Sequence, residues 1–366
     1  VIRCLRCVIP DTRPDTAFVN GICSACIAYE QRPQIDWQAR ERALVELLNR
    51  FNGECIVPSS GGKDSHYQVL ELLKRGADVT VVTATTCHLT PVGRLNIDNL
   101  KRYAKTVEVS PNATVRAKLN RIGLTMVGDI SWPEHVSIFT TPMVAARDLR
   151  RPLIFYGENP QNQYGGPLDS QEAKTMNRRW RSEFGGFLGL RPQDLIGVEG
   201  LGSRDLVDYV LPADIDQHFE AHFLGQYLPW DSHRNAEIAK AAGMRQVTPS
   251  ITNWWSHENL DNGQTGIHDH GMYRKYGFGR FAAQLSVDVR AGLMTREGAL
   301  ALVKARDGRF PYWYAGVELH EVLERIGMTA TAFWEALDKH TNWNLFDAKP
   351  GDKTLKLKGA THEAAA

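Results

Sequence analysis

The sequence is short of several features that would have fixed its class at once. Across 366 residues no apolar run approaches the roughly 20 residues that a membrane-spanning helix needs. Nor does a basic stretch followed by an apolar one open the chain, so a cytoplasmic protein with no membrane span is the expectation. An excess of one charge is also missing: 43 Lys and Arg stand against 42 Asp and Glu, for a net charge of +1. That balance argues against the basic field of a large nucleic-acid footprint, and no nucleic-acid partner is expected. Cysteine is sparse, six in all, and four of the six fall in two Cys-x-x-Cys pairs, which suits a metal in a reducing compartment better than a secreted disulfide framework. The Walker A spacing G-x-x-x-x-G-K-[ST] and the dinucleotide turn G-x-G-x-x-G are both absent from the glycine-rich loop at residues 60–65. What remains is an ordinary globular composition, 43% hydrophobic and 23% charged, long enough for one large domain with additions or for two to three modules.

The four paired cysteines are Cys4, Cys7, Cys23 and Cys26, in the spacing C-x2-C-x15-C-x2-C. Two such knuckles bring four thiolates to a tetrahedral Zn²⁺ and leave no open position, so the expected role is structural, stapling a segment too small to fold unaided. An iron–sulfur or rubredoxin-like site and a pair of disulfides are the competing readings. Cys55 reads as a small buried apolar residue in a strand, and Cys87 lies in a loop candidate with no His-Asp partner arrangement near it.

Periodicity lays out the rest. Residues 36–53 form a helical pattern capped by Asp36, and "ECIVP" (54–58) reads as a buried strand. A helix follows at 64–75, a strand at 78–84, a helix at 94–104 and a strand at 106–110. Helical patterns at 112–122 and 136–149 precede an apolar strand at 152–157, and a further strand is expected within 222–230 before a helix to about Ala242. Short apolar strands alternating with helices predict an α/β fold, a parallel sheet covered on both faces. Beyond residue 245 the patterns are helical, at 281–291, 295–306, 317–325 and 329–339.

The loop between the first strand and its helix reads Ser60-Gly61-Gly62-Lys63-Asp64-Ser65. Glycines there let backbone N–H groups and a helix N-terminus close on one small volume, which favours an oxyanion. A second stretch, "GENPQNQYGG" (157–166), follows the strand "PLIFY" and places Glu158 at the same sheet edge. Further along, "ENLDNGQTGIHDHGMYRKYGFGR" carries Asp261, His268, Asp269, His270, Lys275 and Arg280. Lys275 and Arg280 are candidate phosphate neutralisers, and the acidic and histidine residues are candidates for binding sugar hydroxyls or for acid–base work. Arg178, Arg179 and Arg181 around Trp180 form either a diphosphate clamp or a solvated face.

The SGGKDS stretch resembles the pyrophosphate loop of the PP-loop ATP pyrophosphatase superfamily, whose members split ATP into AMP and pyrophosphate. The resemblance implies that Ser60, Gly61, Gly62, Lys63 and Ser65 contact phosphates, that Asp64 serves Mg²⁺, and that Glu158 is a second acidic group near the metal or the adenylate. Taken in order with the paired cysteines, "GENPQNQYGG" and the later stretch, the pattern over roughly residues 2–310 is similar to the N-acetyl sugar amidotransferases of bacterial surface-glycan biosynthesis, which include lipopolysaccharide O-antigen and pseudaminic acid enzymes. That family implies conversion of an acetamido group of a nucleotide-activated sugar to an acetamidino group. ATP, Mg²⁺ and structural Zn²⁺ are its cofactors, Lys63, Asp64, Glu158 and Lys275 candidate catalytic residues, and Arg280 a further nucleotide contact. It also implies ammonia from a separate glutaminase resembling the glutaminase and cyclase subunits of histidine biosynthesis. A sulfur-inserting tRNA enzyme of the same superfamily is the rival, weakened because Cys55 and Cys87 form no Cys-x-x-Cys.

The expected organisation is a four-cysteine module at 1–35 and a PP-loop α/β domain at 36–245 with a substrate loop at 161–205. A mainly helical portion at 246–345 and a flexible tail at 346–366 complete it.

Overall fold

A computed structural model describes residues 1–171 and 173–358. Its centre is a sheet of five parallel strands: β1 (Glu54–Pro58), β2 (Asp78–Ala84), β3 (Lys105–Val109), β4 (Leu153–Tyr156) and β5 (Glu220–Phe223). In space they run β3-β2-β1-β4-β5, so the chain builds outward from β1 in one direction, then returns to its other side. Helices cover both faces, as the alternation of apolar strands and helices predicts.

Successive side chains on a strand point to opposite faces, and here both faces are core. Cys55 and Val57 of β1 and Leu153 and Phe155 of β4 pack with Leu44, Leu47 and Leu48 of the helix Trp37–Arg50 and Val69 and Leu72 of the helix Lys63–Lys74. The intervening residues Ile56, Ile154 and Tyr156 pack on the other face with Phe139 and Met143 of the helix Trp132–Asp148. Strands buried on both sides carry no polar face, which is why they read as continuous apolar runs.

The topology fixes where ligands gather. Strand order reverses between β1 and β4, and in open α/β sheets the crevice beyond the carboxyl ends of two such strands is the binding site. The SGGKDS loop leaves β1 at that point, and Gly157 and Glu158 leave β4 beside it.

The cysteine module is a short hairpin, Phe18–Val19 with Ile22–Cys23, followed by the helix Ser24–Glu30. It shares a core with Phe278, Phe281, Leu285, Leu300 and Val303 of the C-terminal helices. It is also tied to the loop after β4, because Ser24 Oγ donates to the Gly166 carbonyl at 2.8 Å and the Gly166 N–H returns the bond at 3.1 Å. The four C-terminal helical patterns are present as Arg280–Arg290, Arg296–Arg306, Leu319–Ile326 and Ala330–Lys339.

Four expectations need correction. The expected strand within 222–230 ends at Phe223, and Leu224–Gln226 makes a 3₁₀ turn instead. Residues 161–205 are not a bare loop: they contain the helices Pro160–Tyr164, Leu168–Gln171 and Arg178–Phe184 and bury Trp180, Leu190, Leu195 and Leu201. A helix at Thr265–Tyr276 was not legible as one. Its buried side includes Asp269, His270 and Arg274, so it shows no apolar stripe. The segment expected as a flexible tail is packed in its described part: Phe346 is fully buried and bridges to Leu357, against the ring of Tyr273. Residues 359–366 of that tail lie outside the described residues.

Candidate active site

The loop after β1 is built so that only glycine fits its centre. Gly61 has φ +82°, and a Cβ there would stand 2.9 Å from the backbone nitrogen of Ile97. Its N–H is held by Ser59 Oγ at 2.9 Å. Gly62 then precedes the helix Lys63–Lys74, and Ser65 Oγ donates back to the Gly62 carbonyl at 3.1 Å. The loop and this first turn line a cleft of about 150 Å³, whose other residues include Asn96, His257, Glu258 and Asp261. Asp261 is brought there because Thr90 donates its N–H to the Asp261 carbonyl and because Leu89 bridges to Asn262.

Lys63 is the charge at the centre. Its side chain is only 3% exposed, with Nζ 2.5 Å from Asp64 Oδ2 and 3.8 Å from Glu258 Oε1. Burial pulls its pKa down, but the charges of Asp64, Glu258 and Glu158 outweigh that and hold the ammonium above its ordinary value. The carboxyls split in response. Burial and the Asp64 charge push Glu158 up to about 7. Burial also pushes Glu258 up, yet Lys63, Arg280 and a 2.6 Å bond from Gln284 Nε2 leave it below the usual carboxylate range. Two acids driven apart in this way mark a functional site.

Three carboxylates facing one ammonium leave negative charge over, and the donors are all oxygen, a set that suits Mg²⁺. Asp64 is further fixed by Asn235 Nδ2 at 3.2 Å, and Glu258 by Tyr164 Oη at 3.2 Å. Glu158 is not the cap of the helix after β4; Asn159 is, accepting from the Gln161 N–H at 3.1 Å.

The loop residues and Glu158 therefore converge, and Arg280 joins them indirectly. Its Nε donates to Asp269 Oδ1 at 3.3 Å, and Glu258 is among the charges that raise its pKa. Lys275 does not reach the cleft: Nζ donates to the Val127 carbonyl at 2.6 Å, at the end of the helix Ala113–Val127. His270 is buried against the rings of Tyr273 and Phe310. His268 faces Asp129 instead, with Nδ1 2.8 Å from Oδ1. The arginine cluster is spoken for by carboxylates, Arg178 and Arg181 by Asp216 and Arg179 by Glu183. Glu258, His257, Asn235 and Tyr164 were missed from sequence; Glu258, which opens "ENLDNG", was the one acid there with a signal to follow.

The cysteines form their own site. All six in the chain are free thiols, and the Sγ atoms of Cys4, Cys7, Cys23 and Cys26 lie within 4.8 Å of one another. Cys4 is 3.8 Å from Cys26 and Cys7 is 3.7 Å from Cys23. Sulfurs at about 2.3 Å from a tetrahedral ion stand roughly 3.8 Å apart, so the cluster could hold zinc. Arg296 Nε donates to the carbonyls of both Cys4 and Cys7 at 3.0 Å, fixing the first knuckle from the C-terminal helices.

Residues 248–358 match the family model described as LPS biosynthesis protein WbpG-like, C-terminal domain. The matched segment holds Glu258, Asp261, His268, Asp269, Lys275 and Arg280. No curated protein matches the chain. Among solved structures, NMN synthetase from Francisella tularensis is 14% identical over 59% of this chain and 99% of its own, with a TM-score of 0.26, too low to bear on the arrangement of the whole. A glycine loop at the switch point of a parallel sheet is thus closed by a segment similar to the C-terminal domain of WbpG-like lipopolysaccharide biosynthesis proteins.

Proposed function

We propose that the chain is an ATP-dependent amidotransferase that turns an acetamido group of a nucleotide-activated sugar into an acetamidino group for surface-glycan biosynthesis. The observation that supports this most directly is the buried Lys63, ringed by Asp64, Glu158 and Glu258, on a glycine loop that the WbpG-like segment closes. An amide oxygen is a poor leaving group. In the proposed reaction it attacks the α-phosphorus of ATP, the α–β phosphoanhydride bond breaks, and pyrophosphate departs into the loop. Ammonia then adds to the carbon of the O-adenylyl imidate. The C–O bond breaks, AMP leaves, and the nitrogen gives up a proton.

No protein nucleophile is needed, so the residues work by position and charge. The N–H groups after Gly62, Ser65 and the Lys63 ammonium take the negative charge that develops on pyrophosphate. Asp64 and Glu258 would hold Mg²⁺, which supplies charge neutralisation of the phosphates when bound. Glu158, with a pKa near 7, is also suited to accept the proton that ammonia sheds. Ammonia would come from a separate glutaminase in the cytoplasm; among the described residues no helix is long and apolar enough to cross a membrane. The tRNA sulfurtransferase alternative gains nothing from the spare cysteines, because burial pushes the Cys55 thiol up to about 12 and the Cys87 thiol up to about 11, away from the reactive thiolate.

The test is AMP and pyrophosphate release from ATP with Mg²⁺ and ammonium over a panel of UDP- and CMP-linked acetamido sugars, with mass spectrometry of the sugar. AMP release coupled to exchange of the amide oxygen for NH supports the proposal. AMP that forms only with tRNA and a sulfur donor overturns it.

A further inference from the structure

A second cluster of ligand-type side chains lies on the other side of the helix Thr265–Tyr276. Asp129 sits in the turn after the helix Ala113–Val127, His135 in the first turn of Trp132–Asp148, and His268 in the first turn of Thr265–Tyr276. One carboxylate oxygen of Asp129 and one nitrogen of each histidine lie within 4.8 Å of one another. His268 Nδ1 is 2.8 Å from Asp129 Oδ1 and His135 Nδ1 is 3.0 Å from Oδ2.

From this geometry we propose that Asp129, His135 and His268 bind a divalent first-row transition-metal ion. A hydrogen-bonded His-Asp-His triad is the simpler account, and the 2.8 Å approach of His268 suits it as well as it suits a shared ion. His135 does not fit it. Its Nδ1 is buried and stands 3.0 Å from the other carboxylate oxygen, but without the alignment of a full hydrogen bond. A short approach without hydrogen-bond alignment is the arrangement of two ligands whose lone pairs converge on a third point. Donors about 2.1 Å from a common tetrahedral ion stand roughly 3.4 Å apart, and one donor atom from each of the three residues lies within 4.8 Å of the others.

The supporting shell fits as well. Asp129 is 4% exposed and is fixed by the Ser131 N–H, which donates to Oδ1 at 2.9 Å, whereas the histidines are 25% and 21% exposed and leave an ion a way in. The donor set also selects the ion. Two nitrogens and one carboxylate, with the charge of Lys275 close to Asp129, offer little net negative charge for Mg²⁺ or Ca²⁺, so affinity must come from imidazole bonding. Three protein ligands leave positions for water or another oxygen donor. The site does not depend on the adenylation reading, since none of its residues belongs to the glycine loop.

Zn²⁺ and Co²⁺ are the probes. The full-length protein dialysed against Zn²⁺ and analysed by elemental mass spectrometry is expected to hold one equivalent more than His135→Ala or His268→Ala, while Cys4→Ser leaves that equivalent in place. Asp129→Asn, which keeps the side chain's shape and its bond to Ser131, separates loss of a ligand from loss of the fold. Co²⁺-loaded wild type is expected to show visible bands free of thiolate charge transfer that disappear in His135→Ala. Equal metal content in the wild type and the two histidine variants, or cobalt bands of thiolate origin alone, would overturn the proposal.

Discussion

Lys63 is held charged by its neighbours rather than by water, and this has two measurable consequences. Lys63→Met removes the buried cation paired with Asp64 and Glu258 and, in the proposed reaction, the group that neutralises a departing pyrophosphate. AMP formation is expected to fall by about 10²- to 10³-fold, the scale for losing one preorganised charge donor, while far-UV circular dichroism stays that of the wild type. Glu158 gives the second. Its carboxyl is raised to about 7 in the folded protein, against about 4.3 in an unfolded chain. Between those values the folded protein holds a proton that the unfolded chain has lost, so the stability Glu158 contributes is full below about pH 4.3 and is lost as pH rises to about 7. In protein kept free of Mg²⁺, thermal melting followed across that window should show a decline that is shallower in Glu158→Gln. An unchanged slope would mean that the excess charge is carried by another group of the cleft.

At the scale of the element, the loop between β1 and its helix is set by sterics as much as by charge. Gly61 and Gly76 both have positive φ, +82° and +78°, but a Cβ at Gly76 meets nothing within 4 Å whereas one at Gly61 strikes the backbone of Ile97. Gly76→Ala should therefore cost only the left-handed penalty, roughly 1–2 kcal/mol, and Gly61→Ala clearly more, with loss of AMP formation as the loop shifts; urea melts of the two variants make the comparison. The same distinction explains what the sequence made readable. Strands β1, β2 and β4 are buried on both faces, so apolar runs announced them, and SGGKDS combined a turn with a charge at a strand end. The cysteine spacing was equally local. The helix Thr265–Tyr276 was hidden because its buried positions are filled by Asp269, His270 and Arg274, stabilised by partners outside the helix, Arg280 just beyond it and Asp338 far along the chain. His135 and Asp129 were hidden for the same reason. Their significance depends on His268, and no local pattern encodes an approach across more than 130 residues.

For the molecule as a whole, the cysteine cluster ties the helices of residues 280–306 and the segment after β4 to the candidate cleft. Arg296 binds the carbonyls of Cys4 and Cys7, the apolar residues of the module interleave with Phe278, Phe281 and Leu285, and Ser24 clasps Gly166 in the segment that also carries Tyr164. Tyr164 in turn bonds Glu258, beside Lys63. A closed four-thiolate metal site contributes its binding free energy to folding, so losing the metal should be felt along this path and little in the sheet, whose core is formed by other residues. Chelation, or Cys4→Ser with Cys26→Ser, is expected to lower the melting temperature. In hydrogen exchange it should deprotect residues 18–30, 160–166 and 280–306 while β1 and β4 keep their protection. AMP formation should fall with them, because Glu258 loses its Tyr164 partner. Exchange confined to residues 1–30 would mean that the module is an appendage and that the cleft holds its shape without it.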